Sequence, residues 1–318
     1  MLVNDDVWLI GDPHIGIDFD KRGTPITRRG DRERLQLQQF VEELNQDVRV
    51  NVMVGDLFDK PVVDIKLVHY VYDAYREAAL NRPGTTFVLL AGNHDLFRQL
   101  KDPKTGKLLR GSFHALARML LHIPNVIVVT EPQIIEDIVF FPWQWDITSN
   151  EQVLQYSKLP KIAVGHWDLL DFGGNNDHLC PVDSLHTLGV KEIYSGHMHT
   201  AGNYGDVICT GSMQPYTHAE DPEQTMYRTL TLQELEQTDP SSLVDMNVRI
   251  LLESGEELPE VDCLSLTVKR IGEPDSVEVS EVGTGSFDLK ATLFRNMNEL
   301  GVIDPIQIEI WEKINVSD

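Results

Sequence analysis

Short, nearly unbroken apolar runs punctuate the first two-thirds of the chain. Val7-Trp8-Leu9-Ile10, Asn51-Val52-Met53-Val54 and Thr86-Phe87-Val88-Leu89-Leu90 are apolar on almost every residue, as strands buried on both faces are. Between the first two, Leu35, Phe40, Val41 and Leu44 recur at near-helical spacing, which predicts a helix over 32–44. The same periodicity predicts a second over 67–80. Further strands are predicted at 126–129, 138–140, 161–164, 192–194 and 207–209. Strands alternating with helices imply βαβ units and an α/β fold.

The pattern changes after Leu235. Gln237-Thr238-Asp239-Pro240-Ser241-Ser242 has the composition of a linker. Strands are predicted beyond it at 249–252 and 264–269, followed by a helix from Ser286. That helix carries Leu289, Leu293, Phe294, Met297 and Leu300 on one side, with Ser286 as N-cap and Gly301 as its stop. From Asp304-Pro305 a helix start competes with the strand-like alternation of Ile306, Ile308 and Ile310. The expected organisation is a main domain over 1–236, a small α+β capping domain over 243–285 and a C-terminal segment over 286–318. The apolar side of the last helix suits docking on a partner's coiled coil or packing on its own domain.

Polar loops start where the predicted strands stop. Asp12-Pro13-His14 follows the first, Gly55-Asp56-x-x-Asp59 the second and Gly92-Asn93-His94-Asp95 the third; Gly165-His166 and Gly196-His197-x-His199 repeat the arrangement. Ligands of open α/β sheets bind outside the carboxyl ends of the strands, so five such loops bearing Asp, Asn or His imply one shared site. Each motif alone is weak: Gly-Asp usually marks a turn, and an isolated Asp-x-His is usually a surface loop. By the same reasoning His69, His114, His122, His178, His186 and His218 are read as ordinary surface or core histidines. All five motifs in this order, each after an apolar run, carry the inference.

The chemistry they suit is phosphodiester hydrolysis. Two divalent ions about 3.5–4 Å apart neutralise phosphoryl charge and lower the pKa of a bound water. Such a pair needs hard oxygen ligands, neutral imidazoles and a bridging carboxylate, and the loops supply them. The five motifs resemble the calcineurin-like metallophosphoesterase superfamily. Within it the chain resembles SbcD-type nucleases, especially bacteriophage recombination-endonuclease subunits, through Gly165-His166-Trp167-Asp168-Leu169, Tyr194-Ser195-Gly196-His197-Met198-His199-Thr200 and Thr210-Gly211-Ser212, with an acidic turn at Glu220-Asp221. The resemblance implies a two-sheet β-sandwich flanked by helices. It implies that Asp12, His14 and His199 hold one metal, that Asn93, His166 and His197 hold the other, and that Asp56 bridges them. His94 would face the scissile phosphate, oriented by Asp59. Manganese is the metal the resemblance implies, with magnesium as the alternative. The phosphoprotein phosphatases of the superfamily follow the second Asp with Arg-Gly. Here Asp59 precedes Lys60-Pro61, and Lys does not replace the bidentate phosphate clamp of Arg.

Composition refines the partners. The chain has 318 residues and a net charge of -23, unusual for a protein that binds a polyanion unaided. The acidity is concentrated: residues 219–318 hold 22 acidic and 7 basic residues. Two basic clusters stand out against it, Lys21, Arg22, Arg28, Arg29, Arg32 and Arg34 after the first metal loop and Arg98, Lys101, Lys104, Lys107 and Arg110 after the third. They would steer a phosphate backbone or are simply solvated loops with ordinary charges; Lys60, Arg28, Arg29, Arg98 and Lys101 are the candidate substrate contacts. The resemblance implies DNA and an SbcC-type coiled-coil ATPase as partners, with a homodimer as a further expectation. Three separated cysteines, Cys180, Cys209 and Cys263, suggest buried reduced thiols. The start of the chain lacks the basic and apolar stretches of a secretory signal, and no run of about 18 apolar residues occurs. These features predict a cytoplasmic protein without a membrane span, in the host cytoplasm if phage-encoded. The competing functions are a phosphoesterase for phosphoproteins or small phosphodiesters and a non-catalytic scaffold subunit.

Overall fold

The computed structural model describes residues 1–3, 6–19, 24–99, 101–170 and 176–271. Lys21, Arg22 and everything expected of 286–318 lie outside these residues. The first sheet contains β1 (Leu2–Val3), β2 (Val7–Ile10), β3 (Val50–Met53), β4 (Thr86–Leu90) and β5 (Val126–Val129), side by side in that order. β2 through β5 are parallel, and β1 adds an antiparallel edge. Helices α1 (Asp31–Leu44), α2 (Ile65–Asn81) and α3 (Ser112–Leu120) pack on it.

The second sheet is built from β6 (Gln133–Ile135), β7 (Ile138–Phe141), β8 (Ile162–His166), β9 (Glu192–Gly196), β10 (Gly202–Tyr204) and β11 (Val207–Cys209), with spatial order β10-β11-β9-β8-β7-β6. Its four central strands are parallel and its two edges antiparallel. α4 (Ser149–Val153) and α5 (Val182–Thr187) cover its outer face.

Strand periodicity distributes the apolar runs between two cores. Val7, Leu9, Val50, Val52, Val88 and Leu90 meet Ile138, Phe140, Ile162 and Val164 of the second sheet. Ile10, Met53, Phe87 and Leu89, one residue out of phase, meet Phe40, Leu44, Val68, Tyr75, Phe113 and Leu116 from the helices. Both faces of these strands are buried, which is why their sequences lack alternation. A third core places Val139, Phe141, Ala163 and Ile193 against Val153 and Leu185. The molecule is thus layered helix, sheet, sheet, helix: the expected α/β sandwich flanked by helices.

A third sheet contains β12 (Tyr227–Thr231), β13 (Asn247–Leu252) and β14 (Ser265–Arg270), all parallel. Leu230, Leu243, Val248, Ile250, Leu252, Cys263 and Leu266 form its core. The stretch expected to be a linker is structured. α6 (Leu232–Gln237) is opened by a capping box in which Thr231 accepts from the Glu234 N–H at 3.3 Å and Glu234 accepts from the Thr231 N–H at 2.8 Å. A 3-10 turn, Pro240–Ser242, leads on towards β13. Among the described residues, no helix is long and apolar enough to cross a membrane.

Candidate functional site

The site is assembled at the carboxyl ends of both large sheets. Beyond β2, the main chain at Asp12 pairs with Ser212, and the Asp12 carbonyl accepts from the Met213 N–H at 3.0 Å and the Tyr216 hydroxyl at 2.9 Å. From the other side, Gln36 of α1 donates to the Pro13 carbonyl at 2.7 Å. His14, Asp56 and His197 all adopt left-handed backbone, with φ of 46°, 50° and 77°. Such conformations cost a non-glycine residue roughly 1–3 kcal/mol each and persist where the surroundings over-determine them. Two glycines earn their place by close approach. A Cβ at Gly92 would overlap the Asp56 main chain and carboxylate, and one at Gly196 the Asp12 carboxylate. Neither has a left-handed φ; among the ligand-loop glycines, Gly55 does, with φ +124°.

Three groups of donors converge: two are built from the residues expected to hold metal, and a third is His14, Asp59 and His94. In the first, Asp12, His14 and His199 bring their side-chain atoms together, with 3.0 Å between the Nε2 atoms of His14 and His199. In the second, Asp56, His166 and His197 do the same. Asn93 Oδ1 lies 3.0 Å from both His166 Nε2 and His197 Nδ1. Asp56 stands between the groups, its Oδ2 3.3 Å from His166 Nε2 and 3.7 Å from His14 Nε2. All seven residues expected to hold metal are therefore brought into one site. His166 is the last residue of β8 and not part of a loop beyond it, because that strand runs longer than its apolar stretch.

The imidazoles are oriented from behind. His166 Nδ1 donates to the Val54 carbonyl at 3.0 Å, which turns Nε2 towards the site. His197 Nε2 meets the Asp168 carboxylate at 2.8 Å, and His199 Nδ1 meets Glu220 at 3.3 Å. Carboxylates placed in this way fix tautomer and ring direction in metal centres. Asp168 and Glu220 had no assigned role in the sequence reading, although both lie within strings that carry the family resemblance. Asp95 is a third such residue. Its carboxylate accepts from the main-chain N–H groups of Gly92, Leu57 and Phe58 at 3.0, 3.2 and 3.0 Å, tying the loops after β3 and β4 together.

His94 lies at the edge of the first group, its ring centroid 4.7 Å from that of His14. Its N–H donates to Asp56 at 2.8 Å. Its Nδ1 contacts Asp59, but through the main-chain carbonyl at 2.6 Å; the Asp59 carboxylate instead approaches His14 Nδ1 at 3.9 Å. The candidate substrate cations divide. Lys60, Arg29, Arg98 and Lys101 are exposed. Arg28 is not presented freely: its guanidinium donates to the Val244 carbonyl at 2.6 Å and pairs with Asp31 and Asp245 at 3.3 Å each. Arg32, a member of the same basic cluster, is 2% exposed and donates to Gln214 Oε1 and the Pro215 carbonyl at 2.5 and 2.9 Å.

Burial and crowding set the charges. Burial pushes Asp12 up to about 6, with Asp56 adding to the effect and the nearby histidines opposing it. Burial pushes His14 down to about 3. His166 is as deeply buried, yet Asp56 and Asp12 outweigh that and raise it to about 9. Burial alone would raise Asp56, but His166, His14 and His94 hold it well below the usual carboxylate range. A carboxylate-rich pocket that retains a proton on a histidine is one where a cation would replace that proton.

The donor set fits divalent metal on an independent count. Asp12 Oδ1 and His14 Nδ1 are buried without a hydrogen-bond partner, a state that costs about 1–3 kcal/mol per group unless something else satisfies it. For Asp12 Oδ1, in a pocket of imidazole, amide and carboxylate donors, a hard to borderline cation is the matching partner.

No curated protein matches the chain in sequence. A sequence model of the calcineurin-like phosphoesterase family matches residues 6–201, a span that includes all seven converging residues together with His94, Asp59 and Asp168. That span exceeds half of the chain, and this protein belongs to the calcineurin-like phosphoesterase family, whose members are metal-dependent hydrolases of phosphoesters.

Proposed function

We propose that the chain is a two-metal-dependent DNA exo- and endonuclease, the nuclease subunit of an SbcC/SbcD-like recombination and repair complex, and that manganese is its metal. The observation that carries this reading is the pair of donor groups meeting at Asp56, beside a loop whose Arg98, Lys101, Lys104, Lys107 and Arg110 are all exposed. When bound, the two ions supply charge neutralisation at the phosphoryl group and an acidified water. The chain's own residues do the remainder. Asp12, His14, Asp56, Asn93, His166, His197 and His199 hold the ions. His94, fixed by Asp56 and the Asp59 carbonyl, faces the scissile phosphate and stabilises developing charge or protonates the leaving oxygen through Nε2. Exposed cations on the loop after His94 contact the flanking phosphates. The net charge of -23 fits a subunit that takes much of its DNA affinity from a partner. That partner is an SbcC-type ATPase engaged by 286–318.

End-labelled linear DNA incubated with manganese, with and without the ATPase, tests the reading. Labelled nucleotides or fragments should appear, faster with the partner, and Asp56→Asn should abolish them. Hydrolysis of an aryl phosphodiester or a phosphopeptide with no attack on DNA would overturn it. Removal of 286–318 should leave weak manganese-dependent cleavage but no co-purification with the ATPase.

A further inference from the structure

A chain of aromatic rings runs from the metal-ligand candidates to the protein surface. Trp143 lies with its ring centroid 5.2 Å from His197 and 6.1 Å from His166. His178 stacks on Trp143 at 4.0 Å. Trp145 follows, 5.1 Å from Trp143 and 5.6 Å from His178, crossing them at 72° and 85°. Among the described residues no aromatic ring lies parallel on Trp145. What lies over its face is the exposed guanidinium of Arg98, 5.5 Å from the ring centroid. Trp143 is 5% exposed and Trp145 only half-buried. The inner tryptophan is therefore packing, and the outer one is a partly exposed indole, its Nε1 buried, beneath an exposed arginine.

We propose that Trp145, with Arg98 across its face, is a stacking subsite for an unpaired nucleobase next to the reacting phosphate. This deepens the DNA reading above and rests on it. Aromatic rings accept the π-face of any base, and an arginine can close the other side as a second plane. Arg98 also opens the exposed basic stretch through Lys101, Lys104, Lys107 and Arg110, so a strand whose base sits on Trp145 has cations ready for its phosphates. Two ring contacts separate Trp145 from His197, which assigns the base to a nucleotide adjoining the cleaved bond. A base held in this way cannot be stacked within a duplex. The subsite therefore selects single-stranded or frayed ends over fully paired DNA.

The test compares two labelled oligonucleotides of equal charge, dT12 and an abasic 12-mer, binding to the full metal-free chain in chelator. Wild type should bind dT12 at least about fivefold more tightly, the lower end of what one stacked base contributes. Trp145→Leu should bring the ratio close to one, and Trp145→Phe should retain most of it. An unchanged ratio in a well-folded Trp145→Leu protein, or equal binding of both oligonucleotides by wild type, would overturn the subsite while leaving the nuclease reading intact. Binding of neither would overturn the subsite, while the nuclease reading stands or falls on cleavage of end-labelled DNA with the ATPase present. Should Trp145→Leu not fold, photocrosslinking of a 5-iodouracil oligonucleotide to wild type decides: attachment at Trp145 supports the subsite, and attachment only elsewhere removes it.

Discussion

Three residues carry the site and violate the ordinary rules for backbone: His14, Asp56 and His197 are all in left-handed conformation. Their strain is supported by hydrogen bonds from the layers behind, such as the Asp56 carbonyl accepting from the His14 N–H at 2.9 Å and Asp12 accepting from the His197 N–H at 2.8 Å. The donors are thus preorganised by the protein. His94 is held by the same network, and His94→Gln should lower turnover by roughly 10²–10⁴ while both cations remain bound. Calorimetric titration of the variant with manganese checks the second half, and a loss of bound metal would make His94 a ligand. Protons should also report the metal. His166 is raised to about 9 in the metal-free chain, so at pH 7 to 8 a cation entering the second group must displace its proton. Affinity should rise with pH up to about 9 and then level, and titrations in buffers of different ionisation enthalpy should reveal the proton released. The same shift has a stability sign. A folded-state pKa above the ordinary 6.5 contributes stability that is complete below pH 6.5 and lost as pH rises through about 9.

At the level of elements, α1 shows why the N-terminal basic cluster does not behave as a unit. Its inward face carries Arg32 and Gln36, which hold the 214–215 segment and the Pro13 carbonyl. Arg32 also lies over the Phe19 ring at 4.7 Å. Arg32→Met should remove about 1–3 kcal/mol of stability, because Gln214 and Pro215 lose buried donors, and should leave DNA affinity unchanged. Melting temperature and anisotropy, measured separately, distinguish this from a substrate-binding role. The sandwich strands were legible because both their faces are buried, so Val7 to Ile10 reads as one apolar block. β12, Tyr-Arg-Thr-Leu-Thr, was not, since only Tyr227 and Leu230 are buried within it. α4 and α6 are too short for helical periodicity to register. Their capping boxes, Thr148 with Glu151 and Thr231 with Glu234, are the sequence signals that mark both. The converging donors were legible as strand-end motifs. Asp168 and Glu220 were not, because the role of a carboxylate behind a histidine depends on a fold that brings distant loops together.

For the molecule as a whole, the decisive feature is where the donors come from. Asp12, His14, Asp56 and Asn93 belong to loops of the first sheet, while His166, His197 and His199 belong to the second sheet or the loop after β9. The two sheets are otherwise joined mainly by an apolar interface. A cation held by both sets would be a reversible cross-link between halves of the chain far apart in sequence, closing the sandwich at one rim. Its binding energy would then be folding energy. Above the dissociation constant, each tenfold increase in free manganese should add about 1.4 kcal/mol per site to the unfolding free energy, read as a melting temperature that climbs steadily with the logarithm of metal concentration. A melting temperature indifferent to metal would mean that the rim holds no ion. With such a cross-link, scarcity of the cation would be felt first as fragility, and a shortage of it would cost the protein itself as well as its activity.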